Sequence, residues 1–217
     1  TLFRTIAGTL PKKSGSITID GKDLDQLSQK QRAGYVSYLP QRCQSPLDIT
    51  AEQVVLMGAN PALSTFSFPN NEHLQKARDL LSTFYLSAHA DKRFSQLSEG
   101  QKQLCFIART MMSESQLFLL DEPDAALDFS HSYQMFANLK KISQDKKISY
   151  FCSIHDPNIA LAMFDRIIII QNTSIRDNFV VATSSSQQIG KSFSRLYGEI
   201  TVTTIGNKYN IIPLNYK

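Results

Sequence analysis

Short apolar runs alternate with amphipathic segments between residues 104 and 171, and this alternation constrains the fold more than any other feature. Leu104, Ile107, Ala108 and Met111 recur at helical spacing. Residues 117–120 form a short apolar run of the kind found in a strand buried on both faces. Residues 130–143 read as a helix, 148–154 as a strand, 158–164 as a helix and 166–171 as a strand. A chain that repeats strand and helix in this way packs helices on a mostly parallel sheet. Such sheets bind ligands at the carboxyl ends of their strands.

The rest of the chain surrounds this α/β core. The opening residues Leu2, Phe3, Ile6 and Ala7 have helical spacing, stopped by Gly8 and Pro11, and read as a helix entered in mid-pattern. Residues 16–20 predict a strand and tight turn at Gly21, 24–32 a polar helix, and 35–39 a second strand stopped by Pro40. A helical subdomain is expected over about 50–95, with a loop rich in Pro, Ser and Asn at 60–71. Residues 183–188 read as a polar loop, and 200–205 with 209–212 as strands. At 42% hydrophobic and 19% charged, the 217 residues suffice for one domain with a real core.

Composition also excludes functions. The net charge of +4 is mild, and the pairs Lys12–Lys13, Lys140–Lys141 and Lys146–Lys147 are scattered, so nothing argues for nucleic acid. Cys43, Cys105 and Cys152 have neither disulfide nor metal-ligand spacing. No apolar run is long enough to span a membrane and no secretory signal is present, so a cytoplasmic location is expected.

Four clusters could carry chemistry. Asp121 and Glu122 stand at the end of the apolar run 117–120. There an Asp can hold magnesium through water, and the next carboxylate can orient or deprotonate an attacking water; the same Asp–Glu–Pro also reads as a loop start and helix cap. Ser98 and Gln101 have capping-box spacing, and with Gly100 near its tip the same helix start offers N–H groups to a phosphate. His155 and Gln41 each follow an apolar strand, a place shared by site residues and by ordinary loop residues.

The ordered set resembles the ATP-binding-cassette ATPases over essentially the whole chain: a strand-end Gln, then Leu97–Ser98–x–Gly100–Gln101, Leu119–Leu120–Asp121–Glu122–Pro123, Ala126–Leu127–Asp128, and a strand-end His. The resemblance implies a P-loop NTPase-like α/β fold with an antiparallel β part and a helical signature subdomain. It makes Glu122 the general base and His155 the switch histidine at the γ-phosphate. Gln41 becomes the Q-loop residue near magnesium, and Asp121 the magnesium-binding aspartate. Ser98, Gly100 and Gln101 become the signature that reaches ATP on the opposite subunit, Asp128 the aspartate communicating across the dimer, and Thr1 a residue following the phosphate loop. ATP and Mg2+ are the implied cofactors. The implied partners are a second ATPase subunit, in a homodimer or a heterodimer, transmembrane permease subunits and, indirectly, an extracytoplasmic substrate-binding protein, with the ATPase peripheral on the cytoplasmic face of the inner membrane.

Residues 1–217 contain no G-x-x-x-x-G-K-[ST] loop. Without that backbone cradle and lysine the chain alone is expected to bind ATP poorly and not to turn it over. A narrower resemblance rests on Leu27–Ser28, Tyr38–Leu39–Pro40–Gln41, the run from Asp48 to Val55 with Gly58, and Leu196–Tyr197–Gly198. It is similar to the importer branch serving ferric siderophores, haem and cobalamin. The rival readings are a non-catalytic cassette remnant and a soluble cassette protein of DNA repair or translation.

Overall fold

The computed structural model describes residues 1–43, 48–59 and 69–214, and the chain divides into two compact units, Thr1–Ser153 and Ile154–Lys217. In the first unit three strands form a parallel sheet in the order β3–β4–β5: β3 (Val36–Leu39), β4 (Leu117–Asp121) and β5 (Ser149–Ser153). The central strand β4 buries Phe118, Leu119 and Leu120 almost completely. Each such side chain contributes about 1.5–3 kcal/mol on leaving water. Register fixes the ligand edge: Leu39 pairs with Leu120, and Asp121 with Ser153. Helix α1 (Leu2–Ile6) lies against β3, and its Phe3 meets Phe151 edge-on at 4.8 Å. Phe3, Leu24, Val36 and Leu119 form one buried cluster there.

The expected strand and turn at residues 16–23 is a small antiparallel pair, β1 (Thr18–Ile19) with β2 (Lys22–Asp23). Residues 24–33 are less continuous than their polarity suggests: a 3-10 turn at Leu24–Gln26, then helix α2 (Gln29–Ala33). Ser28 separates them because its hydroxyl accepts the Gln31 N–H and caps the new helix.

Helix α3 (Ala51–Leu56), the 3-10 turn Met57–Ala59, α4 (Asn71–Thr83) and α5 (Glu99–Met111) pack on one another. Residues 60–68, most of the expected loop, lie outside the described residues. Capping boxes start α3 at Thr50–Gln53, α4 at Asn70–His73 and α5 at Ser98–Gln101. Gly58 permits the close approach of α5: a Cβ there would stand 1.8 Å from the Arg109 carbonyl oxygen. Helix α6 (Phe129–Lys146) runs from the end of the β4 loop and packs on β5.

In the second unit α7 (Pro157–Met163) precedes two hairpins, β6 (Arg166–Gln171) with β7 (Ser174–Val180) and β8 (Ile200–Ile205) with β9 (Lys208–Pro213), and helix α8 (Ser186–Tyr197) joins them. Ile167, Ile169, Phe179, Ile189, Phe193 and Ile211 form its core. Two readings change here. The strand 166–171 pairs antiparallel with β7, since a two-residue link can only make a hairpin. The polar loop expected at 183–188 is shorter, because residues 186–188 are already the first turn of α8: Ser185 caps it by accepting the Gln188 N–H, and Ile189 and Phe193 supply the apolar face.

Asn172 and Thr173 make the β6–β7 turn with φ of 50° and 63°. Positive φ at both central positions suits the twist of a two-residue hairpin. Asn tolerates it, whereas a β-branched Thr does so at a cost. Thr173→Gly is expected to stabilise the protein by about 1 kcal/mol, read as a raised thermal midpoint. A lowered midpoint would show that the turn carries no such strain.

Candidate functional site

The end of β4 carries two adjacent carboxylates because the apolar run stops at Leu120 and the chain turns sharply. Asp121 is the last residue of the strand. Glu122 adopts φ of 48°, left-handed backbone that a residue with a Cβ enters at a cost of order 1–3 kcal/mol and that persists only where surroundings enforce it. The enforcing group is Ser153 on β5. Its hydroxyl accepts the Glu122 N–H at 2.8 Å and donates to Asp121 Oδ1 at 2.6 Å. One side chain therefore holds the backbone of one carboxylate residue and the side chain of the other.

Tyr38 on β3 and Gln41 just beyond its end complete the cluster. The Tyr38 hydroxyl donates to Asp121 Oδ2 at 3.4 Å, and Gln41 Nε2 donates to Glu122 Oε2 at 2.6 Å. Burial, and next the neighbouring Asp121 carboxylate, push the Tyr38 phenol above its ordinary value, so it stays a neutral donor. Beneath the site, burial drives the Cys152 thiol well above its ordinary value, which makes it an inert packing group.

Ser98, Gly100 and Gln101 gather at the start of α5. Ser98 Oγ accepts the Gln101 N–H at 3.2 Å, and Gln101 Oε1 accepts the Ser98 N–H at 3.0 Å. Gly100 leaves room for the loop after β4: a Cβ there would come to 3.1 Å from the Ala126 carbonyl oxygen and 3.3 Å from Leu127. Gln103, one turn further along α5, donates to the Pro123 carbonyl at 3.1 Å. Asp128 caps α6 by accepting the His131 N–H at 2.9 Å, and that bond, with the His131 ring next, holds its carboxyl below the usual range.

The structure thus joins Gln41, Asp121 and Glu122 through hydrogen bonds that include Ser153, links Ser98 to Gln101, and sets Gly100 between them in sequence against the loop that leads to Asp128. Thr1 stands at the cap position of α1 without a side-chain capping bond. His155 is the second residue of the second unit; its carbonyl accepts the Tyr197 hydroxyl at 3.2 Å. Asp156 beside it caps α7 through the Asn158 and Ile159 N–H groups. Ser153 and Tyr38 were not singled out by sequence reasoning as site residues. The only signal for Ser153 is a hydroxyl at the end of an apolar strand, and its pairing with Asp121 appears only with the register. Among the described residues no three His, Cys, Asp or Glu side chains group as a metal centre.

The strain at Glu122 and the bridge from Ser153 are separately testable. Glu122→Gly and Glu122→Ala both remove the carboxylate, but only Ala keeps a Cβ. The Gly variant is expected to be about 1 kcal/mol more stable than the Ala variant, compared by urea midpoints; a less stable Gly variant would rule out backbone strain. Ser153→Ala leaves the Glu122 N–H without its acceptor and is expected to destabilise by about 1–3 kcal/mol, with Ser153→Thr closer to the parent protein. An unchanged midpoint for Ser153→Ala would show that the bridge contributes nothing.

The family model described as ABC transporter matches residues 1–125. A probable iron chelatin transport ATP-binding protein of Helicobacter pylori is 27% identical over 198 residues, 91% of this chain and 76% of that protein. A manganese transport system ATP-binding protein of Listeria innocua is 31% identical over 191 residues, 87% of this chain and 77% of its own length. In fold the chain is similar to a metal-chelate type ABC transporter solved in an inward-facing conformation, with a TM-score of 0.79 at 23% identity, covering 99% of this chain and 82% of that one. With its parallel sheet, its flanking helices and a family match over more than half its length, the chain belongs to the ABC transporter family of ATPase subunits.

Proposed function

We propose that this protein is the ATP-hydrolysing subunit of an importer for an iron–siderophore or related metal chelate. The observation that carries the ATPase site is the hydrogen-bonded set Gln41–Glu122 and Asp121–Ser153 at the carboxyl edge of a parallel sheet, with Glu122 held at φ of 48°. Parallel sheets bind their ligands at that edge.

In this reading Glu122 orients the attacking water and takes its proton, and the γ-phosphoryl group leaves ADP for that water. Gln41 aims the Glu122 carboxylate through its amide N–H. The same amide turns its Oε1 end away from that bond, so Asp121 and Gln41 offer two hard oxygens. That set fits Mg2+, which binds through one or two protein groups and keeps its waters and the phosphates for the rest. When bound, Mg2+ neutralises charge on the phosphates. His155 contacts the γ-phosphate. Ser98, Gly100 and Gln101 present the N-terminus of the 13-residue helix α5 to the phosphate of ATP held by a second copy of the chain. Asp128 communicates across that dimer, and Thr1 lies beside the nucleotide phosphates.

The partners in this reading are a second ATPase subunit, permease subunits and, through them, an extracytoplasmic binding protein. Among the described residues no helix is long and apolar enough to cross a membrane, which fits a subunit peripheral to the inner membrane at its cytoplasmic face. The run Asp48–Ile49–Thr50–Ala51–Glu52–Gln53–Val54–Val55 with Gly58, and the similarity to the iron chelatin protein, favour a metal chelate as cargo. The similarity to the manganese protein supplies the alternative of a bare metal ion.

In the protein assembled with its permease, Glu122→Gln is expected to abolish phosphate release and leave an ATP-bound dimer, and His155→Ala to lower turnover at least about 100-fold. Unchanged turnover in either variant would remove that residue from the chemistry. Uptake of radiolabelled iron as a siderophore complex, lost in Glu122→Gln cells while manganese uptake persists, tests the cargo; the opposite pattern would favour the metal-ion alternative.

A further inference from the structure

We infer that His89 is a positioning residue for the start of α5, acting through the side-chain amide of Gln101. His89 ends a 3-10 turn, Ser87–His89, between α4 and α5. Gln101 Oε1 is committed to the Ser98 N–H at 3.0 Å. That commitment fixes which end of the amide carries the hydrogens. Its Nε2 lies 3.0 Å from His89 Nε2. Two donors cannot share that contact, so the imidazole must offer Nε2 as a bare acceptor and carry its proton on Nδ1. Nδ1 is buried and has no hydrogen-bond partner among the described residues. An unpartnered buried polar atom is costly, and here the cost accompanies a ring placed to receive the Gln101 amide.

The turn that carries His89 is itself anchored. The Glu52 and Ala51 N–H groups of the first turn of α3 donate to the carbonyls of Ala90 and Lys92 at 3.0 Å each, and the Lys92 N–H donates to the His89 carbonyl at 3.1 Å. Backbone hydrogen bonds thus tie the start of α3 to the His89 main chain, and the ring of the same residue meets the Gln101 amide, whose other end holds the Ser98 N–H. The consequence for catalysis rests on the reading of Ser98 and Gln101 as phosphate-facing.

The first measurement is the tautomer of His89 by 15N NMR of the whole protein, with the signal assigned by its loss in His89→Gln. A bare Nε2 with the proton on Nδ1 is expected; a protonated Nε2 overturns the assignment. The second is amide exchange of Ser98. His89→Leu removes the acceptor at similar size and is expected to speed Ser98 exchange on the order of 5–10-fold, while His89→Gln, whose Oε1 can accept the same N–H, restores slow exchange. Unchanged exchange in a folded His89→Leu protein overturns the positioning role. The third separates this inference from the proposed function. In the protein assembled with its permease, His89→Leu is expected to lower kcat with KM little changed. Faster exchange with unaltered kcat leaves the positioning role standing and removes the start of α5 from the ATPase site instead.

Discussion

The site depends on the parallel register of β4 and β5, which sets Ser153 opposite Asp121. From that one pairing the Ser153 hydroxyl reaches both the Asp121 carboxylate and the Glu122 N–H. The central strand provides a rigid base, because Leu119 and Leu120 are fully buried and cannot shift without opening the core. A hydroxyl on a neighbouring strand then converts a sharp chain turn into a fixed geometry for two carboxylates. A one-residue slip of β5 would put Cys152, a poor hydrogen-bond former, opposite Asp121 and turn each β5 side chain to the other face of the sheet.

Strain and packing divide the work around this edge. The positive φ at Glu122 keeps its side chain where the strand would otherwise not direct it, and the Gln41 amide meets it there. Across the loop, Gly100 lets α5 approach Ala126 and Leu127, and Gln103 ties that helix to the Pro123 carbonyl. The turn after β4 is thus held by Ser153 on one side and by α5 on the other. A shift in the start of α5 would be felt at that turn, so the His89–Gln101 contact bears on more than one helix end.

Much of this was legible in one dimension. The apolar run 117–120 and the helical spacing of Leu104, Ile107, Ala108 and Met111 mark β4 and α5, because burial on both faces and the 3.6-residue period leave direct traces in sequence. The Ser98–Gln101 spacing marks the capping box, which is a local interaction. Strand β7 left no such trace: Arg176, Asp177 and Asn178 interrupt its pattern, and pairing with β6 makes it a strand. Helix α8 was hidden by its polar opening, although Ile189 and Phe193 have the spacing of a buried face.

The sequence by itself determined the alternation of helix and strand from residue 104 to 164, the family to which the motifs belong, and the identity of Gln41, Asp121, Glu122 and His155 as candidates, because these rest on local periodicity and on short contiguous strings. Only the tertiary structure decided that Ser153 bridges two carboxylates, that Glu122 sits in left-handed backbone, that Gly100 packs on the loop leading to Asp128, and that His89 meets Gln101. Each of those joins residues brought together by strand register or helix packing, or records a backbone angle imposed by such contacts, and neither is written in the spacing of residues along a chain.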